Sequence, residues 1–265
     1  MSGARMGPVQ TVRALVFIGQ MYAMMLPIAI LFAPWAIVSR RGAYAAMHAY
    51  CRWVRWTARW MVGIRSEVRG TPPEGEVLVA AKHQSFFDIL LIFGALPRAR
   101  FIMKKELVWA PILGQYALRI GCIPVDRGRR GEAIRKMKAD VEAGRATPGQ
   151  LIIYPQGTRI APGVSAPYKV GTGVLYDQLR QPCVPVATNV GLFWPKAGIR
   201  RTPGTAVVEF LDQIPPGRTP AAFMDALEQV VEQRSNMLMA EAGVAPIRAP
   251  EGEPFPERTD DEDGD

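Results

Sequence analysis

Short apolar runs alternate with amphipathic segments over most of this chain. Runs of four to six residues, typical of buried strands, occur at 76–81, 100–103, 122–125, 151–154, 184–189 and 206–211. Segments with helical character separate them, at 86–95, 107–120, 132–143 and 171–179, and Thr219 before Pro220 marks the start of a last helix. Strands that alternate with helices predict an α/β fold with a mostly parallel or mixed sheet flanked by helices.

The first part of the chain follows another pattern. Residues 14–38 are 25 positions without a charge, and as a helix they would extend about 37 Å, enough to cross a bilayer. Pro27 and Pro34 predict a kink, and arginines flank both ends, so the positive-inside bias sets no orientation. A kinked helix pair entering one leaflet, a span and a buried core helix all stay open. A signal peptide is disfavoured, because the run is too long and lacks a small-residue cleavage site.

Residues 51–62 add a second membrane pattern. Three tryptophans and three arginines each repeat at i, i+3 and i+7, so each set forms a stripe along one helix. The two stripes side by side suit the headgroup boundary of a membrane, although packing of the tryptophans on a globular domain is the alternative. The candidate membrane-associating residues are Trp53, Trp56, Trp60, Arg52, Arg55 and Arg59.

Charge divides the chain unevenly. From residue 251 to residue 265 there are eight acids and one arginine, a net of −7, so with the whole chain at +8 the first 250 residues carry +15. A body this basic indicates an anionic partner. We expect three parts: membrane-associating helices in 1–64, an α/β domain in 65–242 and a disordered acidic tail in 243–265. Three isolated cysteines indicate a reducing compartment and no metal site.

Polar clusters follow four of the predicted strands. They contain His83, Lys104, Arg127 and residues 156–159. If these strands are parallel, the clusters meet at one edge of the sheet, where α/β folds bind their ligands.

His83 and Asp88 are a candidate catalytic pair. Five positions apart, they meet on neither a helix nor a strand, but a strand end, a turn and a helix start would bring them together. The carboxylate would then accept from one imidazole nitrogen and leave the other free as a general base. The alternative is that Ser85 and Asp88 only form a capping box. Ser85 is disfavoured as a nucleophile, because no G-x-S-x-G elbow surrounds it.

The order of these motifs resembles a known family. His83-x4-Asp88, GCIPVDR at 121–127, YPQGTR at 154–159 and VPV at 184–186 are similar to the four blocks of glycerolipid acyltransferases, above all bacterial 1-acylglycerol-3-phosphate (lysophosphatidate) acyltransferases. KKEL at 104–107 and PYKVG at 167–171 also match. The likeness covers roughly residues 65–215.

This resemblance implies an activity and a set of roles. His83, oriented by Asp88, would deprotonate the 2-hydroxyl of lysophosphatidate for attack on an acyl thioester, giving phosphatidic acid without an acyl-enzyme. The thioester, acyl-CoA or acyl carrier protein, would be a co-substrate, and no cofactor is implied. The implied phosphate-binding residues are Arg159, Arg127, Lys104, Gly157 and Thr158.

The implied partners are a membrane lipid and an acyl donor, and the implied location is the cytoplasmic face of the inner membrane. A basic patch from Arg127 to Lys138 is a candidate surface for an acidic acyl carrier protein or for anionic lipid. Nucleic acid is disfavoured, because no nucleic-acid motif accompanies the basic residues.

Three positions depart from the family pattern and loosen the substrate assignment. Lys82 replaces an Asn, Gln156 a Glu and Ile160 a Ser. Another lysolipid, such as a lyso-aminolipid, is therefore an alternative acceptor. A non-catalytic protein that binds anionic membranes is an alternative of a different class.

Overall fold

The N-terminal region is a helical hairpin. The computed structural model describes residues 7–125 and 149–244, with backbone alone at Lys104 and Val125. Helices α1 (Pro8–Ala23) and α2 (Met25–Val38) are separated by one residue and together form a run of 31 residues, long and apolar enough to cross a membrane. Only 17% of its most apolar window is buried against the rest of the chain.

Helix α3 (Arg40–Met61) returns antiparallel along this whole run. Near the start of α1, the Arg13 guanidinium donates to the Trp60 carbonyl over 3.0 Å. Farther along, the Tyr50 hydroxyl donates to the Met21 carbonyl over 3.2 Å. At the far end, Gly42 lies against the α2 backbone. The polar Gln20 of α1 is satisfied inside the hairpin, where its side chain pairs with Trp53 and Thr57.

The described residues build one seven-stranded mixed sheet of order β1-β7-β6-β2-β5-β3-β4. All neighbouring strands are parallel except β6 and β7. The strands are β1 (Ile64–Arg69), β2 (Val77–Ala81), β3 (Arg100–Lys104), β4 (Ile123–Val125), β5 (Gln150–Ile153), β6 (Cys183–Thr188) and β7 (Gly204–Phe210). The remaining helices are α4 (Phe86–Ala95), α5 (Leu113–Arg119), α6 (Gly171–Leu179) and α7 (Pro220–Glu241), with short 3₁₀ turns at Lys105–Trp109 and Val190–Leu192.

Helices cover both faces of the sheet. Val77, Val79 and Ala81 of β2 point into a core shared with α1, α3 and α4. Leu78 and Ala80 point into a second core shared with α6 and α7. This alternation follows from the two-residue period of a strand, and burial on both sides explains why β2 is a continuous apolar run. The predicted α/β class is confirmed.

Two features of the fold differ from the sequence prediction. The single helix predicted at 107–120 is wrong, because Pro111 and Ile112 separate a 3₁₀ turn from α5, with Ile112 at a φ of 65°. Strand β1 was not predicted, since it has few apolar residues and lies at the sheet edge against β7. The helix predicted at 132–143 and most of the predicted acidic tail lie outside the described residues.

Gly42 should be intolerant of a side chain. An added Cβ would lie 2.5 Å from the Trp35 carbonyl carbon, which belongs to the α2 backbone. We expect Gly42→Ala to lower the free energy of unfolding by about 1–3 kcal/mol, since the helices must separate to admit the methyl group. Urea unfolding in detergent measures this change.

Gly171→Ala is the matched control, because an added Cβ there meets nothing within 4 Å. It should be neutral or stabilising by up to about 1 kcal/mol. Equal losses in the two variants would contradict close packing at Gly42.

Candidate active site

Parallel strands bring the segments that carry the candidate site residues to one edge of the sheet, here called the rim. β2, β5, β3 and β4 run in the same direction, so their carboxyl ends lie at the same edge. His83 follows β2, residues 154–159 follow β5, and Lys104 ends β3. Arg127, which follows β4 in the sequence, lies outside the described residues, and nothing in the structure places the side chain of Lys104.

His83 and Asp88 are hydrogen-bonded to each other. The His83 Nδ1 and the Asp88 Oδ1 are 2.9 Å apart, with the carboxylate fully buried and the His83 side chain 13% exposed. Because a carboxylate only accepts, Nδ1 carries the proton in this contact, and in the neutral imidazole Nε2 then keeps its lone pair. The pair therefore has the arrangement of an oriented general base.

The same carboxylate caps helix α4. Its Oδ2 accepts from the backbone N–H groups of Gln84 and Ser85, over 2.8 and 2.7 Å. The Ser85 hydroxyl completes a capping box and accepts from the Phe87 N–H. Capping and pairing with His83 are therefore not exclusive, because Oδ1 contacts the imidazole while Oδ2 caps the helix. The cap also fixes the Asp88 rotamer that faces the imidazole.

Tyr154 holds the imidazole from a neighbouring strand. Its ring stacks on His83, with ring centres 4.1 Å apart and planes 23° apart. Burial, and secondarily the nearby Asp88 charge, raises the pKa of Tyr154 well above its usual range, so its hydroxyl stays protonated. Sequence reasoning gave this residue no role. The available signal was an aromatic side chain at a strand end that enters the rim.

The loop after β5 is a tight turn joined to its surroundings. The Gly157 N–H donates to the Tyr154 carbonyl over 2.9 Å, and Gly157 has a φ of 70°, a conformation that favours glycine. Gly157 and Thr158 are exposed at the rim. Arg159 is half-buried and donates to the Lys196 carbonyl over 2.9 Å.

Backbone and amide contacts connect this loop and the loop after β6 to the segment that carries His83. The Ile160 N–H donates to the His83 carbonyl over 2.8 Å. The Gly191 N–H donates to the buried Gln84 side-chain carbonyl over 3.0 Å. Motion of either loop would therefore disturb the segment that carries His83.

The departure at Lys82 is part of an internal polar network. Lys82 is only 2% exposed and pairs with Glu232 of α7. The other Glu232 oxygen accepts from the Tyr168 hydroxyl over 3.0 Å. Tyr168 precedes Lys169, whose N–H donates to the Pro155 carbonyl in the loop after β5. The network thus connects the segment after β2, which carries His83, with the loop that carries Arg159. Sequence reasoning missed this connection.

Gln156, another position that departs from the family pattern, also has an inward-facing side chain. Gln156 is buried, and its amide nitrogen donates to the Ala166 carbonyl over 3.3 Å. This contact lies within the protein and away from the exposed Gly157 and Thr158. The side chain therefore holds residues 166–169 against the loop after β5.

The six candidate membrane residues of α3 divide into two groups. Trp56 and Trp60 are exposed with Arg52 and Arg59. The other two turn toward the protein: the Trp53 indole donates to Gln20 over 2.7 Å, and Arg55 donates to the Ser66 hydroxyl over 2.9 Å.

Across the described residues, no three His, Cys, Asp or Glu side chains group as metal ligands.

Comparison with known proteins identifies relatives of this arrangement. Residues 65–189, which include His83, Asp88 and Arg159, match the family described as Acyltransferase. A 1-acyl-sn-glycerol-3-phosphate acyltransferase of Pseudomonas aeruginosa is 30% identical over 210 residues, which are 78% of this chain and 80% of that protein. The human 1-acyl-sn-glycerol-3-phosphate acyltransferase alpha is 34% identical over 168 residues, which are 61% of this chain and 59% of the human protein.

A solved structure has the same fold. It is the 1-acyl-sn-glycerophosphate (LPA) acyltransferase PlsC from Thermotoga maritima, with a TM-score of 0.74 and 20% sequence identity. The alignment covers 87% of this chain and 98% of that one. The shared fold therefore includes both the sheet and part of the N-terminal helical region.

The two roles of Asp88 can be separated by mutation. Ser85→Ala removes a cap but not the imidazole acceptor, so it should cost about 1 kcal/mol of unfolding free energy. Asp88→Asn should cost about 1–3 kcal/mol, because it weakens two buried backbone contacts as well. Only Asp88→Asn should remove the downfield Nδ1 proton of His83 in an NMR spectrum. Loss of that proton signal in Ser85→Ala would contradict the assignment to Asp88.

Proposed function

This chain belongs to the glycerolipid acyltransferase family, and on that basis we propose that it transfers a fatty acyl group from a thioester to the 2-hydroxyl of lysophosphatidate, giving phosphatidic acid. The observation that carries the proposal is the 2.9 Å contact between His83 and Asp88. It leaves one imidazole nitrogen free for a hydroxyl at a rim that also carries Arg159. The names of the two sequence relatives support the choice of acceptor.

The proposed reaction is a direct transfer. The Nε2 of His83 takes the proton of the glycerol 2-hydroxyl while that oxygen attacks the thioester carbonyl carbon. The carbon–sulfur bond then breaks, the thiolate leaves, and the imidazolium returns the proton to it. Asp88 stabilises the imidazolium in between, and general base catalysis of this kind contributes about 10²–10⁴-fold. No cofactor takes part in these steps.

Arg159 is the proposed anchor for the substrate phosphate. Its contact with the Lys196 carbonyl fixes one edge of the guanidinium, and the fork geometry suits a phosphate through its other N–H groups. Gly157 and Thr158 are exposed, and because Gly157 has no Cβ, a phosphate could approach its backbone closely. Lys104 and Arg127 complete the proposed phosphate site.

Gln156 does not favour another headgroup in this proposal. Its side chain is buried and its amide nitrogen donates to the Ala166 carbonyl, so it makes an internal contact. A phosphate acceptor therefore remains the best fit, and the lyso-aminolipid alternative loses the residue that suggested it.

We propose that the hairpin holds this rim at a membrane surface. Ile30, Leu31 and Ile37 of α2 are 64–75% exposed. Because α3 lies along the whole α1–α2 run, a transmembrane orientation would carry the exposed Arg52 toward the bilayer centre, at a high cost. We infer that the hairpin lies within one leaflet, with Trp56 and Trp60 at the headgroups, on the cytoplasmic face of the inner membrane.

The acyl donor in this proposal is coenzyme A or an acyl carrier protein. The basic residues proposed for carrier docking, between Arg127 and Lys138, lie outside the described residues. The proposed docking of a carrier protein therefore rests on the sequence pattern of basic residues alone.

His83→Ala should lower turnover by about 10²–10⁴-fold, because the general base is lost. The measurement is the rate of labelled phosphatidic acid formation from acyl thioester and lysophosphatidate in mixed micelles. His48→Gln is the control, since it alters the only other histidine of the chain. Full activity in His83→Ala would refute the histidine mechanism, and no product from the parent protein would refute the proposed function.

Arg159→Ala should raise the KM for lysophosphatidate about 10–100-fold with a smaller change in kcat, because a charge-assisted contact to the phosphate is lost. The rate with a neutral monoacylglycerol, which has no phosphate, should change little. Arg180→Ala is the control, since Arg180 is an exposed cation paired with Asp177 on α6. An equal loss for both acceptors would place Arg159 outside the phosphate site.

A further inference from the structure

The segment after β3 exposes apolar side chains at the rim of the candidate active site. In the 3₁₀ turn that follows β3 directly, Leu107 is 42% and Trp109 is 85% exposed. Leu113, at the start of α5, is 38% exposed. An indole exposed to this degree is unusual in a protein surface that faces only water.

A strained turn lies next to Trp109. Ile112 has a φ of 65° and a ψ of −62°, and the Leu113 N–H donates to the Pro111 carbonyl over 2.6 Å. This is a three-residue turn with positive φ, a conformation that is rare and strained for a β-branched residue. Strain of this kind persists where the surroundings enforce it and concentrates at functional sites.

Helix α5 joins this segment to the apolar hairpin. The Tyr116 hydroxyl donates to the Ala29 carbonyl over 2.6 Å. Arg119 donates to the carbonyls of Ala36 and Ile37, both over 2.8 Å, and so caps the end of α2. The segment is therefore attached to the helix that exposes Ile30, Leu31 and Ile37, and it continues the apolar region of the hairpin to the rim.

We propose that Leu107, Trp109 and Leu113 form a second membrane-contacting element, in which Trp109 enters the headgroup boundary of the same leaflet as the hairpin. Its occupant is the lipid surface. Continuity with the hairpin supports this choice, because Tyr116 and Arg119 of α5 donate to the α2 backbone and an indole suits the headgroup boundary. The proposal rests on the proposed membrane location of the enzyme and deepens it. The two adjoining contacts would hold the rim against the leaflet, where a lysolipid exposes its hydroxyl.

A probe at position 109 tests the contact directly. Trp109→Cys can carry an environment-sensitive fluorophore, since the three native cysteines are buried. Mixed with phosphatidylglycerol–phosphatidylcholine vesicles that contain nitroxide-labelled chains, this probe should shift to the blue and be quenched. Leu31→Cys, on α2, is the positive control, and Met237→Cys, exposed on α7, is the negative control.

The functional consequence is tested with Trp109→Asp, for which we expect about tenfold weaker vesicle partitioning, because an apolar ring is replaced by a charge that headgroups repel. Met237→Asp should change partitioning less than about twofold. In detergent micelles the kcat of Trp109→Asp should stay near the parent value, because no bilayer must be approached there.

Several outcomes would overturn the proposal. One is a probe at 109 that stays in water while the probe at 31 inserts. Another is a probe at 109 that responds without vesicles, either to added acyl carrier protein or to rising protein concentration, which would identify a protein partner or a second copy. Failure of the parent protein to acylate lysophosphatidate in micelles would refute the proposed function alone, since the probe result does not depend on turnover.

Discussion

The buried Asp88 carboxylate is the constraint on which the site depends. A fully buried anion is tolerated only when its oxygens are satisfied, and here two backbone N–H groups and the His83 imidazole satisfy them. The same contacts start helix α4 and end the segment after β2. The direction of the helix, the position of the His83 imidazole and the tautomer of its ring are therefore coupled through one side chain.

The sheet makes this local arrangement part of a wider site. β2 lies between β5 and β6, so the loops that follow these strands lie on either side of His83. Tyr154 approaches the imidazole from the β5 side, and Gln84 reaches Gly191 on the β6 side. Parallel pairing fixes all of these at one edge, which explains why His83 and Arg159, from distant parts of the chain, lie at the same edge.

Polar contacts inside the protein connect the segments that meet at this edge. Lys82 is buried and pairs with the half-buried Glu232, which also accepts from the Tyr168 hydroxyl, and the neighbouring Lys169 N–H donates to the Pro155 carbonyl. Removing Glu232 would leave the buried Lys82 ammonium without compensation, so Lys82 depends on Glu232. Lys82, which stands where the family has an Asn, is thus paired with Glu232 of α7.

The sequence by itself determined the features that depend on local pattern. The helices Phe86–Ala95 and Gly171–Leu179 have the bounds predicted from apolar runs and flanking breakers, and Thr219 caps α7 as its sequence indicates. The pairing of His83 with Asp88 was also within reach, because a strand end, a turn and a cap are local signals.

Only the tertiary structure decided the contacts between distant segments. Lys82 and Glu232 are 150 positions apart, and the stack of Tyr154 on His83 follows from the pairing of β2 with β5. The edge strand β1 likewise has no strong local signal. Local propensity fixes where an element begins and ends, but which side chains meet is set by strand order and helix packing, and these depend on the whole chain.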